Sequence, residues 1–444
     1  MRIVIAGCGD VGTHLAKLLS REEQDITVVD EDRAKLAQLD ANYNLLTCVG
    51  RPTSFTALKS AGVEDCDLFI AVTPFETRNV VACAIAKSLG AGKTVARIDN
   101  YEFKDPANRK FFTSIGADDV IYPEYLAALE IINALNHNWA RHWFELHNGE
   151  LILVAVKLRD GAPLVGKALK DLGRQTHDFH VAAIKRNSET IIPGGNDRLE
   201  SNDIVYFMTT RNHVESLVPL CGKRRHQIKN VIIMGGSRIA IQLCRMAGDD
   251  FNFKIIDSDH DNCLKLSEKC PDALIINADA RDTDTLREAG ITDTDAFIAI
   301  SDQSESNILT CLTAKEFGVV KTVAEVENLQ FVSQAESLNI GTIINKKLLA
   351  SSRIFQMLLD RDTSTSKCMA MADAEVAEIE AEEGSKITRA PVKDLRLSRD
   401  MTIAGLIRNG QGHLVSGNTV IQPGDRVVVF TLNSVIHKVE RLFS

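Results

Sequence analysis

Short runs of consecutive apolar residues alternate with longer stretches whose apolar positions recur every three or four residues. Ile3–Ala6 predicts a buried strand, Val11–Ser20 a helix, Ile26–Asp30 a second strand and Asp32–Leu39 a second helix. Leu45–Val49, Leu68–Val72, Thr94–Ile98 and Val120–Ile121 continue the strand series, and Tyr125–Asn138 reads as a closing helix. Strands without internal polar alternation, separated by helices, imply parallel βαβ units covered on both faces. The pattern then changes. Leu151–Leu158, Val181–Lys185 and Ile204–Met208 are strand-like runs divided by turns such as Pro193-Gly-Gly-Asn-Asp197, which predicts a small α+β lobe.

The whole arrangement occurs twice. Arg2-Ile-Val-Ile-Ala-Gly7 matches Asn230-Val-Ile-Ile-Met-Gly235, and Lys93–Asn100 matches Lys321–Asn328 at the same offset. So do Ala61–Thr73 and Ala289–Ser301. The lobe repeats too, with Ile184-Lys-Arg-Asn187 against Leu406-Ile-Arg-Asn409 and Asp203 against Asp425. A fixed internal register marks a duplicated fold. The expected class is α/β: two tandem Rossmann-type doubly wound parallel-sheet modules, each followed by a small α+β lobe. The expected boundaries are 1–138 and 139–224 for the first module and lobe, then 228–362 and 367–444 for the second. Hinges are expected around Asn136–Glu145 and Asp360–Lys367.

Composition narrows the function classes. The 444 residues carry a formal charge of −9, which argues against broad binding to nucleic acid. The longest apolar run, Val80–Ala86, is far short of the roughly 18 residues of a membrane span, so a cytoplasmic chain is expected. The ten cysteines form no CxxC or Cys/His cluster and read as reduced core thiols.

Gly7-Cys8-Gly9-Asp10-Val11-Gly12 follows a strand and opens a helix, and Asp30 ends the next strand. In this context Gly7 allows a tight turn, Gly9 lets backbone approach a pyrophosphate, and Gly12 lets helix and strand pack closely. The helix N-terminus offers unpaired N–H groups and a positive dipole end to phosphate. Asp30 would accept from ribose hydroxyls and repel a 2′-phosphate, favouring NAD(H) over NADP(H). The second copy reads Gly235-Gly236-Ser237-Arg238-Ile239-Ala240, with Asp257 as its acid. Ser237 and Ala240 replace two glycines, and Arg238 offers a phosphate donor. A mononucleotide, a weakly held ligand and an empty loop all remain open there. Asp279 is placed for ribose or adenine contact or as a solvated loop acid. Arg97 and its counterpart Glu325 end matching strands, either as ligand contacts or as ordinary ion-pair residues.

A dehydrogenase also needs a substrate pocket and a positioned acid or base. His14, His137, His142 and His147 lack metal-pair spacing and read as solvated or capping residues. Glu76 and Glu305 read as loop residues near nucleotide. A duplicated ligand-binding chain without a catalytic set suggests a sensor, whose ligand acts through differential affinity for two conformations. An oxidoreductase and a scaffold with vestigial loops are the competing readings.

The order module–lobe–module–lobe, the Gly7–Gly12 loop with Asp30, Ala71-Val-Thr73 followed by Asn79, and Ala96-Arg97-Ile98 resemble the RCK/KTN family. The resemblance spans essentially the whole chain. It implies a non-enzymatic regulatory subunit of a bacterial potassium uptake system that binds NAD(H) or the adenine nucleotides ATP and ADP. It further implies a homo-oligomeric ring at the inner face of the membrane, gating an integral potassium channel subunit of the TrkH/TrkG type. Thr73 and Ser301 would be further nucleotide contacts. Many family members carry an acid where this chain has Arg51.

Overall fold

The computed structural model describes residues 1–20, 24–175, 177–187, 189–328, 331–332, 334–335, 338, 340–359, 369–371, 374–432 and 442–443. Two compact units emerge. One comprises Met1–Leu129 with Asn345–Met357, the other Glu130–Ile344 with Leu358–Ser444.

In the first unit, β1 (Arg2–Ala6), β2 (Asp25–Asp30), β3 (Leu46–Val49), β4 (Leu68–Ala71), β5 (Lys93–Arg97) and β6 (Asp119–Ile121) form one parallel sheet. Its order is β3-β2-β1-β4-β5-β6. The reversal between β1 and β4 is a topological switch point, where a crevice opens beyond the carboxyl ends of the strands. Burial follows position in the sheet. The central strand β4 is buried throughout its sequence Leu-Phe-Ile-Ala, whereas the edge strand β3 leaves Leu46 and Val49 exposed. Helices Asp10–Leu19 and Glu76–Leu89 cover the sheet with small residues at the contact, including Ala82, Cys83 and Ala86.

The second unit contains the copy of that sheet, ordered β14-β13-β12-β15-β16-β17. Its strands are β12 (Asn230–Met234), β13 (Asn252–Asp257), β14 (Leu274–Asn277), β15 (Ala296–Ala299), β16 (Lys321–Glu325) and β17 (Thr342–Ile344). It also holds both lobe sheets. The first is β10-β9-β11-β8-β7, with β7 (His142–Leu146), β8 (Leu151–Lys157), β9 (Phe179–Arg186), β10 (Glu189–Ile191) and β11 (Ile204–Thr210). The second is β18-β19-β22-β20-β21, with β18 (Met369–Met371), β19 (Ala374–Glu380), β20 (Met401–Arg408), β21 (Gln411–Leu414) and β22 (Arg426–Leu432).

Strand β8 reads as a solid apolar run because its two faces enter two cores. Ile152, Val154 and Val156 pack with Trp143, Leu172 and Leu217. Leu151, Leu153 and Ala155 join Val376, Ala404, Val428 and Phe430 of the other lobe. Gly405 permits that second contact, since a Cβ there would lie 2.8 Å from a methyl of Leu151.

Two sequence expectations change. Asn136–Glu145 is not a free hinge, because His142–Leu146 is a strand of the first lobe sheet, paired with Leu151–Ala155. Its mixed polar and apolar residues hid it. His137 is not solvated either. Its ring stacks on Trp143 at 3.6 Å, and burial lowers its pKa to about 4. The other hinge candidate, residues 360–367, lies outside the described residues.

The repeated Asp203 and Asp425 are buried and accept both arms of an arginine. Arg186 Nε and Nη2 reach Asp203 at 2.9 and 2.8 Å, and Arg408 repeats the fork on Asp425. Asp203→Asn removes the buried anion of the fork, leaves Arg186 only the exposed Glu200 as ion-pair partner, and should cost about 3 kcal/mol in urea denaturation. A loss below ~1 kcal/mol would show the fork to be dispensable.

A second outcome concerns pH. His180 is half-buried between the lobes; its Nδ1–H donates to Val415 O at 3.2 Å and its Nε2 accepts from the Thr402 hydroxyl at 3.1 Å. Burial lowers its pKa from 6.5 to about 4. The unfolded chain therefore binds the proton first, and stability should fall as pH drops from 6.5 towards 4. His180→Gln should flatten that part of the melting-temperature profile; an unchanged slope would exclude His180 as a source.

Candidate functional site

The carboxyl ends of β1, β2, β4 and β5 bring Gly7–Gly12, Asp30, Thr73 and Arg97 to one edge of the first sheet. The three loop glycines are required for different reasons. Gly7 has φ +116°, and a Cβ there would lie 3.0 Å from Thr73 N. A Cβ at Gly12 would run into Gly7 O. A Cβ at Gly9 would meet nothing within 4 Å. Gly9 therefore borders open space at the start of helix Asp10–Leu19, where no side chain caps the first turn. Val11 is buried under that turn, so only its backbone faces the loop.

Asp30 has a structural task besides any ligand contact. Its Oδ2 accepts from Cys8 N at 2.6 Å and its Oδ1 from Asp32 N at 2.8 Å. It thus fixes the glycine loop from below while keeping lone pairs for further donors. The Cys8 thiol is buried and its pKa is raised, chiefly by burial, so it is no ready nucleophile.

Asn79, fully buried on helix Glu76–Leu89, ties the crevice together. Its Oδ1 accepts from Thr73 N at 2.9 Å and from the Thr73 hydroxyl at 2.6 Å. Its Nδ2 donates to Thr73 O and Arg97 O, both at 2.9 Å. The Thr73 hydroxyl is thereby already engaged, and the Arg97 backbone is fixed with its side chain half-buried.

The second sheet repeats this frame with local changes. Asn307 bridges Ser301 and Glu325 O as Asn79 bridges Thr73 and Arg97 O. Gly236 N donates to Asp257 Oδ2 at 2.6 Å. Here Asn262 Nδ2 also donates to Asp257 Oδ2, at 3.0 Å, and to Gly236 O, at 3.1 Å. The carboxylate that a ribose would use is more fully committed than Asp30. Sequence comparison gave no signal for Asn262, because its match in the first copy is Ala34. Ser237 Oγ is buried without a hydrogen-bond partner. Ile239 and Ala240 are buried under the loop, and Glu325 is buried where Arg97 is only half-covered. The cleft above has a volume of about 440 Å³, lined among others by Gly235, Ser237, Asp257, Asp279 and Ser301. Asp279 is a loop acid held by Arg281, with Nη2–Oδ2 at 2.6 Å and Nε–Oδ1 at 2.9 Å; that guanidinium lowers its pKa.

Glu76 belongs to the first turn of a helix rather than to a loop. Its Oε2 accepts from Asp99 N and Asn100 N at 3.0 and 2.9 Å, and burial raises its pKa. Ser304 does the same work in the second copy, donating no charge but accepting from Glu327 N at 3.0 Å. Glu305 likewise sits in the first turn of a helix, exposed.

The TrkA-N domain model matches residues 3–123 and 231–346, and the TrkA-C domain model matches 153–222 and 376–444. The Trk system potassium uptake protein TrkA of Halomonas elongata is 30% identical over 450 residues, covering 100% of this chain and 98% of the relative. That of Vibrio alginolyticus is 30% identical over 451 residues, with the same coverage. Among solved structures, the GsuK RCK domain superposes with a TM-score of 0.61 at 17% identity, over 100% of this chain and 94% of that one. The GsuK channel bound to NAD gives 0.61 at 16% identity, over 100% and 78%. The GsuK likenesses establish the fold.

Asn79 serves four hydrogen bonds inside a dry sheet edge, which sets the outcome of Asn79→Leu. Three backbone groups would lose their partner at about 1–3 kcal/mol each. A destabilisation of about 3 kcal/mol or more is expected in urea denaturation; a change under ~1 kcal/mol would mean that water replaces the amide.

Proposed function

Because the chain belongs to the TrkA family, with two successive pairs of TrkA-N and TrkA-C domains, we propose that it is a nucleotide-sensing regulatory subunit of a potassium uptake system. The observation that carries this reading is the Gly9 loop. It combines open space, an uncapped helix N-terminus and a flanking carboxylate at the switch point of a Rossmann sheet. A pyrophosphate satisfies all three features, since it brings negative charge to the N–H groups and places a ribose beside Asp30.

The proposed contacts of the first loop are Gly7, Cys8, Gly9, Asp10, Val11 and Gly12 through backbone, then Asp30, Thr73 and Arg97. Asp30 disfavours a 2′-phosphate, so NAD(H) and the adenine nucleotides ATP and ADP are the ligands of this reading. Gly235 through Ile239, with Asp257, Asp279, Ser301 and Glu325, form the second site. Its committed Asp257 and its Ser237 suit a smaller ligand, held with less ribose contact. Ligand occupancy acts by favouring one arrangement of the chain over another. The subunit assembles with copies of itself in a ring on the cytoplasmic side of a membrane potassium channel of the TrkH/TrkG type, whose flux it gates without catalysis. The domain division at 1–138, 139–224, 228–362 and 367–444 belongs to this reading.

Gly9→Trp tests it. A Cβ at Gly9 meets nothing within 4 Å, so the melting temperature should stay within a few degrees of the parent's. Nucleotide binding by calorimetry should be lost at the first site. In cells lacking other potassium uptake, growth on low potassium should lose its dependence on the subunit's nucleotide. Retained nucleotide affinity, or uptake indifferent to deletion of the subunit, would sink the proposal.

A further inference from the structure

The first site contains an apparent contradiction. Asp10 opens the helix whose N-terminus is to hold phosphate, and its carboxylate is exposed at that very turn. A like charge there opposes an incoming phosphate. The second copy has Arg238 at the matching position, so the two loops begin with opposite charge.

The compensating cation comes from elsewhere in the chain. Lys347 Nζ lies 2.7 Å from Asp10 Oδ2, with four-fifths of its own side chain covered. It stands in the first turn of helix Lys346–Leu359, which directly follows the last strand of the second module. Residues Asn345–Met357 of that segment nevertheless belong to the first compact unit. The start of that helix is fixed. Asn345 is buried, and its Oδ1 accepts from Lys347 N at 3.0 Å and Leu348 N at 2.9 Å, which sets the start of the helix. In the first module the same place, second residue of the helix that follows the last strand, is taken by Glu124. Glu124 is buried, with Oε2 making no hydrogen bond. Both members of the pair are thus inverted between the repeats: Asp10 against Arg238, Lys347 against Glu124.

We propose that Lys347 is a phosphate-binding residue of the first nucleotide site, supplied by the second repeat and paired with Asp10 in the free chain. This rests on the reading of Gly7–Gly12 as a nucleotide loop. An ammonium has three donors on a flexible stem, so Lys347 holds Asp10 with one and a phosphate oxygen with another. Asp10 competes with the phosphate for the ammonium and adds a like charge at the turn, and the lysine cancels most of that field. A nucleoside diphosphate is therefore discriminated from a nucleoside by a residue of the segment that follows the second module.

Calorimetry on the full chain carrying Asp257→Ala, which reports the first site, separates the outcomes. ADP and adenosine are the probes. Lys347→Met keeps the aliphatic stem and loses the charge, and should weaken ADP about tenfold while leaving adenosine unchanged. It should also flatten the dependence of ADP affinity on salt. Lys347→Arg should restore most of the ADP affinity. Asp10→Asn, at an exposed position, should tighten ADP a few-fold and leave adenosine alone. Equal ADP affinity in Lys347→Met, or equal loss for ADP and adenosine, would overturn the proposal. So would weaker ADP binding in Asp10→Asn. If Gly9→Trp abolishes ADP binding while Lys347→Met does not, the nucleotide reading stands and Lys347 falls. If the parent binds neither probe, both fall together.

Discussion

Where neighbouring parallel strands part to make a crevice, their last amides and carbonyls lose the partners that the sheet would have given them. Leaving such groups dry and unpaired is prohibitive. The fully buried amide of Asn79 answers this by bonding both backbone groups of Thr73 and the carbonyl of Arg97. Asn307 answers it in the same way for Ser301 and Glu325. These amides satisfy the strand ends with groups of the chain itself. The glycine loop, the acid of the second strand and the residues ending β4 and β5 all take their positions from that crevice.

On that shared frame the two repeats have moved apart by charge and by commitment of the acid. Asp30 holds one loop N–H and the start of the next helix, and Asp257 does so while also receiving Asn262. Arg97 is half-buried and Glu325 buried. None of these changes touches the sheet order, which is the same in both copies. Packing and chemistry are separable here, because the sheet is held by buried apolar strands and the sites lie on loops beyond their ends.

Much of the fold was legible in the sequence because parallel strands buried on both faces leave solid apolar runs, and the duplication supplied a second reading of each. The glycine loop and its acid were legible because their chemistry depends on spacing. What stayed hidden depends on tertiary contact. Strand His142–Leu146 mixes charged and aromatic residues, since one face meets Trp139 and its neighbours and the other is partly open. Asn262 had no echo in the first copy. Glu76 read as a loop residue near nucleotide, yet it opens a helix and its carboxylate serves two backbone amides. The partnership of Lys347 with Asp10 joins residues more than three hundred positions apart, beyond the reach of any local pattern.

The helix Lys346–Leu359 bears on a different matter, that of dilution. Were the repeats separate polypeptides, the lysine would reach the first loop only while two copies stayed associated, and the site would be complete only above some protein concentration. Joining the repeats in one chain replaces that bimolecular step with an intramolecular one of fixed effective concentration. The first site then has the same composition in a cell holding few copies of the protein as in one holding many. Fusion also frees each repeat from having to suit itself as partner, and so a lysine can stand in one copy where the other keeps a glutamate.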